Sequence, residues 1–157
     1  MKSIEEYLST ENHYCIDFIP YTADNETFLE YETYYEEKKS DYFAESIVEI
    51  SLKSIYWKKC RIYLEGDIYD NKVLRNYQLD FNLSDTIEPT DIELIITEIV
   101  KKDICSLCVI FDELDSMLCI EGGLCVCFYS ENDDFIAMMK QLANSEGLFV
   151  RYLIKDW

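Results

Sequence analysis

A single histidine, two prolines and four glycines serve a chain of 157 residues, and each scarcity removes a class of function. Ser-His or Cys-His nucleophilic chemistry would have to use His13, and nothing near it marks a nucleophile. There is no Gly-x-Ser-x-Gly elbow and no His-Glu-x-x-His motif. Gly122-Gly123 are the only adjacent glycines, and no Lys-Ser or Lys-Thr follows them, so a phosphate-cradling loop and a dinucleotide fingerprint are both missing. With so little Gly and Pro, no linker divides the chain, and a single domain over 1–157 is expected. Long apolar runs are absent as well. None approaches the roughly 20 residues a membrane helix needs. The first residues, Met1-Lys2-Ser3-Ile4-Glu5-Glu6-Tyr7, lack a basic stretch followed by an apolar one, so a cytoplasmic protein with no membrane partner is expected.

Basic residues are scarce in two long windows. Between Lys2 and Lys38 there are ten acids and no Lys or Arg, and between Lys102 and Lys140 there are eight acids and again none. The interval from Lys38 to Arg75 is the reverse, with eight of the fourteen Lys and Arg residues against six acids. A formal net charge of -18 repels nucleic acid and anionic membrane and speeds encounter with a basic partner. At 49% hydrophobic the chain still has the material for a core, which places it away from the disordered class.

The pattern predicts an α+β fold, mostly antiparallel sheet, with two main helices at about 91–102 and 132–145. Ile4, Tyr7 and Leu8 give a short amphipathic start, and 13–19 reads as a strand stopped by Pro20. The segment 27–37 is ambiguous: Leu29, Tyr31, Thr33 and Tyr35 alternate as in a strand, whereas Phe28, Tyr31 and Tyr35 share a helical face. Its Tyr and Thr content leans to strand. From 46 to 83 the chain reads as extended, through Val48-Ile50-Leu52, then 60–69 and 73–83, with Asp70-Asn71 as a hairpin turn. Thr90 and Glu93 form a capping box for a helix striped by Ile92, Ile95, Ile96 and Ile99. A strand is expected over 104–111. A hairpin over 117–130 is expected to turn on Gly122-Gly123. Asn132 caps the second helix, Gly147 ends it, and 148–154 forms the last strand.

Seven cysteines at irregular spacing fit reduced, buried thiols better than a disulfide framework. Cys105-x-x-Cys108 and Cys125-x-Cys127 have the look of zinc ligands. A two-residue turn at Gly122-Gly123, however, pairs Ile120 with Cys125 and Leu118 with Cys127, and leaves Cys119 on the other face with Val126 and Phe128. Cys105 and Cys108 likewise point to opposite faces of a strand. That scatter argues for no metal, and nothing calls for a cofactor. Carboxylates are so frequent that proximity alone identifies no catalytic pair, and Asp112-Glu113-Leu114-Asp115 lacks the ligand spacing and glycine of a calcium loop.

The same register brings Asp115 to Ser130, so that Asp112, Glu113 and Asp115 lie beside Glu131, Asp133 and Asp134 at the open end of the hairpin. A solvated, capping helix start explains these six acids; a docking patch for a basic partner explains them equally. A second candidate is the N-terminal Tyr/Glu segment, with Glu30, Tyr31, Glu32 and Tyr34. Thirteen tyrosines suit either a sheet face or an interface core.

In size, charge and lack of catalytic motifs the chain resembles the immunity proteins of bacterial contact-dependent inhibition and polymorphic-toxin systems. The resemblance implies a small cytosolic protein that binds and neutralises its own toxin, and it assigns no residue a role. A nuclease is the expected toxin class, because such a domain must present a positive cleft to its substrate. A nucleic-acid mimic that blocks a DNA-binding protein, and an enzyme using a carboxylate pair, are the alternatives. The protein is expected to be a monomer or weak dimer that binds neither DNA nor RNA. Raising NaCl from low to moderate concentration should raise its thermal midpoint, since self-repulsion is screened over about 8–10 Å. A melting series in NaCl checks this, and a midpoint that falls contradicts it.

Overall fold

In a computed structural model that describes residues 1–22 and 26–154, six strands form one antiparallel sheet and four α-helices accompany it. The α+β expectation holds. The helices are α1 (Ile4–Leu8), α2 (Glu26–Ile55), α3 (Pro89–Lys102) and α4 (Asp133–Ser145). The strands are β1 (Asn12–Asp17), β2 (Arg61–Gly66), β3 (Cys105–Phe111), β4 (Ser116–Ile120), β5 (Val126–Tyr129) and β6 (Phe149–Ile154), in the spatial order β2-β3-β4-β5-β1-β6.

Period-2 alternation gives the sheet two different faces. Ile62, Leu64, Leu107, Val109, Leu118, Ile120, Val126, Phe128 and Ile16 point into the main core. There they meet Phe43, Ile47 and Ile50 of α2, the isoleucines of α3, and Phe135, Met139 and Ala143 of α4. The other face carries Cys108, Ile110, Met117, Cys119, Cys127, Tyr129 and Cys15, against which α1 lays Ile4 and Tyr7.

Local chemistry sets the helix ends. Asn132 accepts a hydrogen bond from the Phe135 amide at 3.0 Å and so caps α4, and Gly147 follows its end at φ +75°. At α3 the capping box is closed by Glu88 and Asp91, two residues before the expected Thr90 and Glu93, with Pro89 in the first turn. The α3 helix ends at Asp103, which takes the left-handed conformation at φ 50°.

Two expectations are corrected. The segment 27–37 and the Val48-Ile50-Leu52 run are one thirty-residue helix, α2. Tyr and Thr favour strands locally, but from Phe43 onward the residues bury against both α3 and the sheet, and that tertiary packing outweighs β-propensity. The shared helical face of Phe28, Tyr31 and Tyr35 is what forms in the N-terminal part: Phe28 and Tyr35 stack on Phe18, Tyr35 at 4.0 Å between centroids, and Tyr31 packs tilted against it. Second, 73–83 is not a strand and Asp70-Asn71 is not a hairpin turn. After β2 the chain runs to α3 through two single 3-10 turns, at Leu74–Asn76 and Leu83–Asp85. Side chains supply its hydrogen bonds. Asn71 Oδ1 accepts from the amides of Val73 and Leu74, and Asn82 Oδ1 accepts from Ile62 and Ser84, which satisfies one amide of β2, an edge strand.

The hairpin between β4 and β5 also differs from expectation. Its loop is residues 121–125, closed by the Glu121 amide donating to the Cys125 carbonyl at 2.9 Å, so Ile120 faces Val126 and Cys119 faces Cys127. Gly122 is needed for a different reason from a tight turn: a methyl there would overlap the backbone and side chain of Asp103 at the end of α3. Gly123 sits at φ +68° with open space around it. Gly122→Ala should therefore cost more than Gly123→Ala, on the order of 1–3 kcal/mol of overpacking against about 1–2 kcal/mol of left-handed strain. Urea denaturation of the two variants measures this, and equal midpoints would disprove the close approach.

Candidate functional site

The six acids expected at the hairpin's open end do lie at one end of the sheet. Asp112, Glu113 and Asp115 occupy the turn from β3 to β4, and Glu131, Asp133 and Asp134 start α4 just after β5. Ser116 Oγ and Ser130 Oγ, 2.6 Å apart, join the two segments, and Ser130 Oγ also accepts from the Asn132 amide at 3.0 Å. The register is shifted by one residue from that expected: Met117 faces Tyr129.

The six are not equivalent. Asp112 takes a two-pronged hydrogen bond from Arg61, with Nε at 2.7 Å and Nη2 at 2.8 Å. Asp115 is ion-paired with Lys2 at 2.9 Å and accepts from the Tyr7 hydroxyl at 3.2 Å. Arg61 Nη2 also donates to the Lys2 carbonyl at 3.0 Å. Both aspartates thus hold the N-terminal residues and α1 over the second face of the sheet. Burial, followed by the Asp115 carboxylate, pushes the Tyr7 phenol up to about 12, so it stays a hydrogen-bond donor throughout the physiological range. Glu113, Glu131, Asp133 and Asp134 are exposed and carry no ion pair among the described residues. Glu131 and Asp133 line an open depression together with Glu11, Tyr14 and Tyr152. Those three neighbours escaped the sequence reading because β1 and β6 reach this edge by long-range pairing, which no short motif marks.

The second candidate group is at the other end of β1. Phe18, which follows Asp17, carries the stack of Tyr31 and Tyr35, whereas the acidic hairpin end lies beside the start of β1, about 17 Å away along six extended residues. Between Glu26 and Tyr42 of α2 only Tyr35 is buried. Leu29, Tyr31 and Tyr34 are 59%, 47% and 49% exposed, large values for side chains of this size. Glu26, Glu30, Glu36 and Glu37 are exposed around them, and Glu32 is half-buried. The ten candidate residues are therefore two sites at opposite ends of the sheet.

The thiols are corrected too. The one-residue register change puts Cys108, Cys119, Cys127 and Cys15 side by side across four neighbouring strands, where scatter over two faces was expected. Cys105 does face away from this row, toward the main core. Among the described residues no group of three or more His, Cys, Asp or Glu side chains is placed to hold a metal ion. His13 stacks on Tyr129 at 5.2 Å, a packing role on the second face. No helix among the described residues is long and apolar enough to cross a membrane. Compared with known proteins, the chain matches no family model, no curated protein and no solved structure.

The Arg61 guanidinium holds the Asp112 carboxyl below its ordinary range. A carboxyl whose folded value is depressed contributes stability that is fully present above its unfolded value near 4, and that is lost as pH falls through the folded value. Asp112→Asn should therefore lower the thermal midpoint at pH 7, and the gap to the unaltered protein should close as pH falls below about 4. A gap that stays constant across that range would show that Asp112 contributes through shape alone.

Proposed function

We propose that this chain is a non-enzymatic acidic binding protein that captures and neutralises a basic partner, in the manner of an immunity protein acting on its cognate toxin, with a nuclease domain as the favoured partner. The observation that carries the proposal is the N-terminal half of α2, where exposed Leu29, Tyr31 and Tyr34 stand among Glu26, Glu30, Glu36 and Glu37, with no Lys or Arg from 26 to 37. A nuclease cleft is lined with Lys and Arg to hold phosphates. Carboxylates facing such a cleft steer the encounter, and tyrosines between them supply desolvated anchors with few rotamers to freeze. The helix is suited to this because Tyr35, stacked on Phe18, ties it to the body, while Tyr31, tilted against Phe18, and Tyr34 stay about half exposed.

The hairpin end supports the same reading more weakly. Asp112 and Asp115 are already satisfied within the fold, which leaves Glu113, Glu131, Asp133 and Asp134 as the acids free to meet a partner. A cytoplasmic setting follows from the proposal, since a nuclease inhibitor acts where the nucleic acid is.

The test is made on a basic C-terminal domain of a long reading frame, where one lies beside this chain's gene, and otherwise on a basic nuclease domain. Reversing Glu30, Glu36 and Glu37 to Lys should slow association at least tenfold and flatten its salt dependence, and Tyr31→Ala with Tyr34→Ala should speed dissociation. Reversing Glu131, Asp133 and Asp134 should have the smaller effect. Stopped-flow association at several salt concentrations reads both. If the α2 reversals leave rate and salt slope unchanged while the hairpin-end reversals abolish binding, the interface is the hairpin end. If neither matters and no growth protection is seen on co-expression, the inhibitor reading fails.

A further inference from the structure

We propose that Cys108 and Cys119 are the oxidation site of this chain, closing to a cross-strand disulfide under a hydroperoxide. Pairing places the two residues directly opposite one another on β3 and β4, and their sulfurs are 3.7 Å apart in hydrogen-bonding contact. Directly opposed cross-strand residues hold their Cβ atoms about 4.5–5.5 Å apart. A disulfide requires about 3.5–4.5 Å between Cβ atoms, so rotation about χ1 with a small approach of the strands closes the bond. The pair belongs to a longer row, Tyr63-Cys108-Cys119-Cys127-Cys15-Arg151, that runs across all six strands.

The other thiols are less suited. Cys127 is related to Cys119 and Cys15 by register, and Cys125 is exposed at the loop end, donating to Glu121 Oε2 at 3.0 Å. Hydrogen bonding with Cys127, burial and the Glu121 carboxylate all push the Cys125 thiol up, which keeps this accessible sulfur protonated and a poor nucleophile. Cys119 is also pushed up, by its hydrogen bond with Cys108 and by burial. A protonated Cys119 slows the reaction of the reduced pair with peroxide. Its oxidation is slow at neutral pH and accelerates as pH rises.

The reaction balances with hydrogen peroxide. One sulfur of the pair, as thiolate, attacks a peroxide oxygen; the O–O bond breaks, hydroxide leaves and takes up a proton as water, and a sulfenic acid remains. The opposing thiol loses its proton and attacks that sulfur, forming the S–S bond and breaking the S–O bond with release of a second water. The two electrons lost by the cysteines are those gained by the peroxide. The product clamps β3 to β4 across the turn that carries Asp112 and Asp115.

The experiment treats the full chain with hydrogen peroxide, digests it without reductant and maps the peptides by mass. A Cys108–Cys119 linked peptide, lighter by two hydrogens than its parts and released by dithiothreitol, is the expected result, and its yield should rise with pH. Cys108→Ser and Cys119→Ser should each abolish it, whereas Cys125→Ser should not. Because the wild-type map stands by itself, misfolding of a buried variant leaves the answer intact. A disulfide mapped to Cys119–Cys127 or Cys15–Cys127, oxygen added at Cys125 alone, or no change would each overturn the proposal.

Discussion

The hydrogen bond from the Glu121 amide to the Cys125 carbonyl closes a loop of residues 121–125, and the faces of the sheet follow from it. With this closure Ile120 meets Val126 and Leu118 meets Phe128, so four apolar side chains face the helices together. A two-residue turn on the glycine pair would have placed Leu118 opposite Cys127 and turned one strand's core residues outward, because side chains alternate with a period of two. Apolar burial selects the longer loop. Thiol convergence on the opposite face is a by-product of the same choice: once Leu118, Phe128, Val109 and Ile16 face the core, their neighbours Cys119, Cys127, Cys108 and Cys15 must share the other side.

That second face has little to cover it, and here the charge distribution enters the fold. The α1 helix has five residues, too few to persist by propensity alone. It is held by a Ser3–Glu6 capping box, by Ile4 and Tyr7 against the sheet, and by the Arg61, Lys2 and Tyr7 contacts to Asp112 and Asp115. Two of the scarce cations are thus used where Asp112 and Asp115 hold α1 in place. The Asp112 pair is the stronger of the two, partly buried and two-pronged, while the Lys2 pair is exposed and adds little by itself.

Most of this fold was legible where a local device marks it. Asn132 at the start of α4, Gly147 at its end, the isoleucine stripe of α3 and the runs that became β1, β3 and β6 are readable because cap chemistry and short periodicity act within a few residues. The α2 helix was misread because its C-terminal half is buried on most sides. Val48, Ile50 and Leu52 alternate by accident within a nearly continuous buried stretch. Its polar side held the better signal: Asp41, Glu45, Glu49 and Lys53 recur every four residues and are all exposed, the outer stripe of a helix. The path from β2 to α3 carries strand-forming residues but depends on Asn71 and Asn82, whose partners lie within the turn itself or twenty or more residues away on Ile62 and Glu98. Of the two candidate interfaces, composition located both, but it could not show that Asp112 and Asp115 were already engaged, since Lys2 and Arg61 reach them across 113 and 51 residues of sequence.

The division of the acids follows from these constraints. The half-buried carboxylates beside the sheet are met by a cation, Asp112 by Arg61 and Asp17 by Arg151, and those of the first turn of α4 by a helix start. The five glutamates on α2 between Glu26 and Glu37 have no Lys or Arg among them, Lys38 and Lys39 coming only after the last, and they stand on the part of the helix that contributes only Tyr35 to the buried core. A helix that served folding alone would gain from Lys at i,i+4 to these acids, each pair adding a few tenths of a kilocalorie per mole. Lys is withheld until Lys38, while leucine and two tyrosines stay exposed among the acids. Self-repulsion along this segment would be relieved where a cationic surface met it, which is the energetic ground for the binding role proposed above.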